Sequence, residues 1–339
     1  MNYFERVHAF TPTRFWVNNP TVSQAQTALA AGAINCTTNP TYVSKMLKSD
    51  EMRPVLLKKI RGYKKGGFSV SDTAALTQRS AVKMLMNEFK ALHKQAPARM
   101  GFVSLQGDPT KEHDPANIIA EAEADAKLGT NFIAKIPTTS AGLEAIEFLA
   151  GKNVPIIATE IMSVSQCIAA CEAYKRAGGN APFFVTCIAG IFDDCLKNQC
   201  ANGDFNIERD ILFQAGMVLM RRQYRIMREK ELPGILLGGG ARGLHHFTEF
   251  VGGACDITIN WKGTADKLIE TDAPVISRMD TPVPDYVLDA LMKNVPDFAR
   301  AYTLDGLTKD EFATFPPVVL FRSQFEAGWA ELVKEIENA

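Results

Sequence analysis

One amine stands out in the sequence, near the end of an apolar run: Asn131-Phe132-Ile133-Ala134-Lys135-Ile136-Pro137. A short apolar stretch bounded by polar residues and a proline reads as a buried β-strand. Burying an ammonium is costly, so a lysine in such a strand reads as an amine held neutral and usable as a nucleophile. At the ordinary lysine pKa near 10.4 only about one amine in a few thousand is neutral at pH 7, and a fall of about three units makes it usable. On this stretch alone the competing reading is a lysine that snorkels its ammonium to water. The ends of the other expected strands decide between the two. They deliver Asn18 and Asn19, Thr38 and Asn39, Gln106, Thr159, Thr186, and the run Gly238 to Gly243 with Gly240 and Arg242. The set is one amine among amides and hydroxyls, with few charges. It lacks the facing carboxylates of a glycosidase and the histidines of a metal site. A neutral lysine in such a pocket suits carbonyl capture as a Schiff base, with no metal and no cofactor, the amides and hydroxyls holding substrate hydroxyls and a relay water.

Eight short apolar strands must position these groups: 15–17, 33–37, 101–105, 131–137, 155–159, 182–186, 234–237 and 256–259. Helical stretches alternate with them. Pro20 opens one that carries Val22, Ala25, Ala28 and Leu29 inward, and Asp114-Pro115 caps another that Gly129 closes. Residues 41 to 98 read as helical and charged. After strand six a single long amphipathic helix is expected through Ile207, Ile211, Ala215 and Val218. Near-continuous apolar strands alternating with helices argue for a parallel sheet, and eight such units without a composition break argue for a closed (β/α)8 TIM barrel. The barrel is expected over residues 1–264, with a C-terminal helical extension over 265–339.

Composition sets outer bounds. The chain has 339 residues, 46% of them hydrophobic, and a formal net charge of -1. That balance implies no general attraction to nucleic acid or to an anionic membrane. The cluster Lys58, Lys59, Arg61, Lys64 and Lys65 reads as a solvated helix face. No apolar run approaches 18 residues and residues 1–13 lack a signal-peptide core, so a cytoplasmic protein is expected. Seven scattered cysteines without a C-x-x-C pair read as core thiols of a reducing compartment. Gly238-x-Gly240-x-x-Gly243 also fits a dinucleotide fingerprint, but only about a hundred residues follow it and the first βαβ unit has none. His245 and His246, opening a helix, read as surface residues.

Four segments carry a family resemblance: Gly32-Ala33-Ile34-Asn35-Cys36-Thr37-Thr38-Asn39-Pro40, Ala134-Lys135-Ile136-Pro137-Thr138-Thr139-Ser140-Ala141-Gly142-Leu143, Val154 to Thr159 with Ser165-Gln166, and Phe325-Glu326-Ala327-Gly328-Trp329. They resemble, in order, the G-x(3)-T-T-N-P, the V-K-I-P-x-T-x-E-G-L, the strand-five threonine with F-S-x-x-Q-A, and the F-x-x-x-W of the transaldolase and fructose-6-phosphate aldolase family. The resemblance implies that Lys135 forms the Schiff base, Thr159 holds the catalytic water, Asn39 binds substrate hydroxyls beside Thr38, and Thr186 replaces a serine. Gln106 falls where transaldolases carry a glutamate and the small aldolases a glutamine. A ketose and an aldehyde, anionic through a phosphate, are the implied small-molecule partners. A homo-oligomer is implied too, with the Trp329 helix packing on a neighbour.

The departures from the family are as informative. Its first-strand aspartate is absent, leaving Asn18-Asn19, and an amide is no general base. Its phosphate-binding arginine becomes Ile191, while strand seven ends in Gly240-Ala241-Arg242. Arg242 and the backbone N–H groups of the glycines remain to meet an anion. Three functions follow: a transferase of a dihydroxyacetone unit, a lyase releasing that unit, or a non-catalytic sugar-binding barrel.

Overall fold

The computed structural model describes all 339 residues. Eight parallel strands close into one barrel in sequence order. They are β1 (Arg14–Asn18), β2 (Asn35–Thr37), β3 (Val103–Leu105), β4 (Phe132–Pro137), β5 (Ile156–Ile161), β6 (Phe183–Cys187), β7 (Ile235–Gly238) and β8 (Asp256–Asn260). The seam is made by β1 against β8, from Arg14 opposite Asp256 to Asn18 opposite Asn260. The expected (β/α)8 barrel with C-terminal helices is therefore present.

The interior is layered, and the layering follows from the two-residue period of a strand. Trp16, Ile34, Phe102, Ile133, Ile157, Phe184 and Leu237 form a closed apolar plug. Two residues further along five of the strands stand Asn18, Ser104, Lys135, Thr159 and Thr186, and Thr258 of β8 joins them through Thr37. An apolar layer thus carries a polar layer on its carboxyl side, the side on which barrels of this kind bind ligands. Beneath the plug, Arg99 binds the buried Asp256 through both guanidinium ends at 2.5 and 2.6 Å, and Trp16 Nε1 donates to the same carboxylate at 2.8 Å.

Three expectations need correcting. β5 runs two residues beyond Thr159, because a register shift between Ala158 and Ile161 inserts a bulge at Glu160, whose φ is +61°. The single long helix after β6 is three, Ala189–Asn202, Arg209–Leu212 and Ala215–Glu229, and the helical stretch after β2 is also three, Tyr42–Met46, Arg53–Lys65 and Val70–Gln95. The Trp329 helix, Pro316–Asn338, packs on its own chain: Phe321, Phe325 and Trp329 belong to the same cluster of 87 buried residues as the barrel's outer core. Gly328 permits this contact, since a Cβ there would lie 2.8 Å from Thr41 Cγ2. All seven cysteines are free thiols. No helix is long and apolar enough to cross a membrane.

Removing the partner of a buried charge leaves its desolvation uncompensated. Arg99→Ala is expected to lower unfolding free energy by about 2–4 kcal/mol, read as a fall in the urea midpoint without a change in slope.

Candidate active site

Lys135 stands directly above Ile133 of the plug and opposite Ile157 of β5. It is 8% exposed. No carboxylate lies within 4.0 Å of its amine, whose one hydrogen bond goes to the Thr38 carbonyl at 3.3 Å. The Phe325 ring, on the last helix, is centred 5.7 Å away. Burial pushes its pKa down to about 8, against the opposing pull of Glu160 and Glu112 and with a further push from Lys45. Desolvation thus wins over attraction, and about one group in ten is a neutral amine at pH 7, against about one in a few thousand for an ordinary lysine.

The amine opens into a cavity of about 130 Å³ at the carboxyl end of the barrel. Of the residues expected to act here, Asn18, Asn39, Thr186, Gly240 and Arg242 line it with Lys135, and Phe321, Gln324 and Phe325 roof it. Thr38, Gln106 and Thr159 do not line it. Thr38 holds the amine through its carbonyl, while its hydroxyl donates to the Ser104 carbonyl at 2.6 Å. Thr159 is buried above Ile157 with its hydroxyl unpartnered, as is that of Thr186. Asn39 Oδ1 accepts from the Thr41 backbone and hydroxyl, which leaves its NH2 free for a ligand. Asn18 is held at both ends: Nδ2 donates to Asn260 Oδ1 and Oδ1 accepts from Thr37 Oγ1, each at 2.9 Å. It can position a hydroxyl but cannot take its proton.

Arg242 is steadied from two sides. Its Nε donates to Asp194 at 2.5 Å, and its backbone N–H donates to His246 Nδ1 at 3.3 Å. His246 is buried, not superficial as its place at a helix start suggests, and its Nε2 bonds Asp193, which accepts from the Gly216 backbone. Asp193, His245 and His246 bring ligand-type atoms within 4.8 Å of one another. Both His246 nitrogens and both Asp193 oxygens are already engaged, so the cluster braces the Arg242 turn. His245 is half-buried, and burial lowers its pKa to about 4, keeping it neutral.

Sequence reasoning missed three charged groups. Lys45, on the helix Tyr42–Met46, lines the cavity with Thr41 and has no carboxylate within 4.0 Å. Lys45 is exposed at the mouth, and its partial desolvation there, then the nearby Arg242, lowers its pKa. Its signal is the four-residue spacing from Thr41, which puts both on one helix face. Glu112 and Glu160 are buried, and both accept from Gln106 Nε2, at 2.6 and 2.9 Å. Glu160 lies in an apolar run, the same signal that marks Lys135. The surroundings are therefore less free of charge than amides and hydroxyls alone suggest.

A family profile described as transaldolase/fructose-6-phosphate aldolase matches residues 15–309. The chain belongs to this family. It is a divergent member. It is 24% identical over 192 residues to a transaldolase of Neisseria gonorrhoeae, covering 53% of this chain and 54% of that one. A transaldolase of Allorhizobium ampelinum is 26% identical over 228 residues, 66% of each chain. Transaldolase 1 of Streptomyces coelicolor is 27% identical over 143 residues, 42% of this chain and 37% of that one. The chain spans about half the length of the first curated relatives it matches.

The Arg242 turn also depends on close packing. A Cβ on Gly190 would meet the Gly240 carbonyl at 2.1 Å. Because the obstacle is backbone, Gly190→Ala is expected to destabilise the protein by about 1–3 kcal/mol, measured by chemical denaturation.

Proposed function

We propose that this protein is a transaldolase-type enzyme that forms a Schiff base between Lys135 and a ketose. The Lys135 nitrogen attacks the ketone carbon, a C–N bond forms, and the carbonyl oxygen leaves as water, giving an iminium. The iminium accepts the electron pair of the neighbouring C–C bond as the hydroxyl on the departing carbon loses its proton, and an aldehyde leaves. The three-carbon enamine then adds to an acceptor aldehyde, or is protonated and hydrolysed as dihydroxyacetone. The observation that carries the reading is a buried, unpaired amine with a lowered pKa at the floor of a cavity lined by Asn18, Asn39 and Thr186. Membership of the family supports it. Gln106 favours release of the unit, since the resemblance puts a glutamine there in the small aldolases; the curated relatives, named as transaldolases, favour transfer.

An anionic substrate tail is supported by two cations on one cavity, Lys45 and Arg242, beside the backbone of Gly239, Gly240 and Ala241. Ile191 forms part of the same wall, where the family resemblance puts an arginine. Lys45 comes from a different element and supplies the charge that Ile191 lacks. The protein is proposed to act on ketose and aldehyde phosphates, in carbohydrate metabolism of the pentose phosphate kind and in the cytoplasm.

Borohydride reduction in the presence of a ketose is expected to leave a stable adduct mass on Lys135, and none in Lys135→Ala; absence of an adduct with any ketose contradicts the reading. Only the neutral amine attacks, so the trapping rate is expected to rise with pH up to about 8, where an ordinary lysine continues to gain far beyond. Lys45→Ala is expected to raise KM for phosphorylated substrates about ten- to a hundredfold, the worth of one charged hydrogen bond, and to leave unphosphorylated ones nearly unchanged. Turnover that requires an added acceptor aldehyde identifies a transferase; turnover without one identifies a lyase.

A further inference from the structure

The family's two proton-handling carboxylates, by the resemblance above, fall on Asn18 and Gln106, both amides. Schiff-base chemistry still moves a proton at every step. Neutral amine, neutral ketone and one proton give a cationic iminium and water. Cleavage returns a neutral enamine and one proton, taken from the substrate hydroxyl. A fixed cation in a barrel interior needs a counter-charge that appears and disappears with it.

One feature of the fold answers to this. The Gln106 NH2 donates to Glu112 Oε1 and to Glu160 Oε1 at once. Both carboxyl groups are more than nine-tenths buried, and Glu112 Oε2, Glu160 Oε2 and Gln106 Oε1 have no partner. Two carboxyl groups tied to one donor away from water cannot both ionise cheaply, so they share a proton. Glu160 is brought there at a cost: its φ of +61° inside β5 belongs to a conformation worth about 1–3 kcal/mol of strain, of the kind held at functional sites. Glu112 and Lys135 also border one small cavity, beneath Pro137.

We propose that the Glu112–Glu160 pair, bridged by Gln106, is the proton store and counter-charge for the chemistry at Lys135. The inference rests on the Schiff-base reading above. When the iminium forms, the pair gives up the one proton consumed and gains one negative charge, which the new cation at Lys135 offsets. When the C–C bond breaks, the pair takes back the hydroxyl proton as the iminium becomes a neutral enamine. The sum of charge over Lys135 and the pair is the same before and after each step. No carboxylate lies within 4.0 Å of the amine, so the proton crosses through water, for which the unpartnered Gln106 Oε1 and Thr159 Oγ1 are the available acceptors.

The groups facing the pair agree with this. Lys135 and Arg322 favour its ionised form, while Glu121, Glu326 and burial itself disfavour it. His113 and Asp310 share the outer cavity of about 500 Å³ that both glutamates line, which is a route for slow exchange with solvent. Burial raises the pKa of Glu160 to about 7 and that of Glu112 further, so the pair keeps a proton near neutrality.

The test uses dihydroxyacetone as the ketone and a pH-indicator dye in weak buffer near pH 9.5, where almost every amine is neutral and adduct formation without a store must draw a full proton from solution. Adducts are counted in parallel by borohydride trapping. The wild-type protein is expected to take up no net proton from solution per adduct. Uptake of a full proton per adduct by the wild type overturns the proposal, and this needs no variant. The Glu112→Gln/Glu160→Gln double variant is expected to take its proton from solution, about one per adduct. Glu160→Gln alone is expected to lose at least tenfold in kcat with its pH profile altered, and Glu160→Asp to recover part of it. A Glu160→Gln enzyme within twofold of wild type and with an unchanged profile also overturns it. Failure to form any adduct in the wild type is a different result, which removes the Schiff-base reading itself.

Discussion

The site depends on one constraint: a basic amine is buried in a barrel with no carboxylate in contact. Attraction from Glu112 and Glu160 reaches Lys135 but does not outweigh desolvation, so the amine's pKa falls to about 8. A contact ion pair would have reversed the balance and produced an ordinary structural lysine. Each glutamate gives one oxygen to the Gln106 amide and neither comes within 4.0 Å of the amine. The same amide keeps the two carboxyl groups together.

The rest of the fold serves that arrangement in layers. The apolar plug closes the barrel below the amine, so water reaches it from one side only. The last helix closes much of the other side, laying Phe325 over the amine and Phe321 and Gln324 on the cavity. Charge is kept at the rim, where Lys45 and Arg242 face the opening. The Arg242 turn is pinned through Asp193 and His246 from the helix that follows β6. A cation at the rim and a readily deprotonated amine at the floor would orient a substrate carrying its anion at one end and its ketone at the other.

Much of this is legible in the sequence because it is local. Lys135 stands out as the one charge in an apolar strand, and the strand period puts it above Ile133. The polar layer of Asn18, Thr159 and Thr186 follows from the same period. Gln106 and Glu160 show where local reasoning stops. A strand ending at Thr159 puts Glu160 in a loop, whereas a bulge, a matter of register with β6, carries the strand on and buries it. Gln106 reads as a cavity residue from its place after β3, yet its donors face Glu112, six residues on in a turn. The last helix shows a third limit. Its Phe325 and Trp329 announce an apolar face, but only the packing of Gly328 on Thr41 says that the face covers this chain's own barrel.

The most direct measurement is an NMR titration of Lys135 in the native protein, following its labelled side-chain signal and assigning it by its loss in Lys135→Arg. A midpoint near pH 8 is expected. A midpoint at the ordinary lysine value of about 10.4 would mean a charged, solvated ammonium and would contradict it.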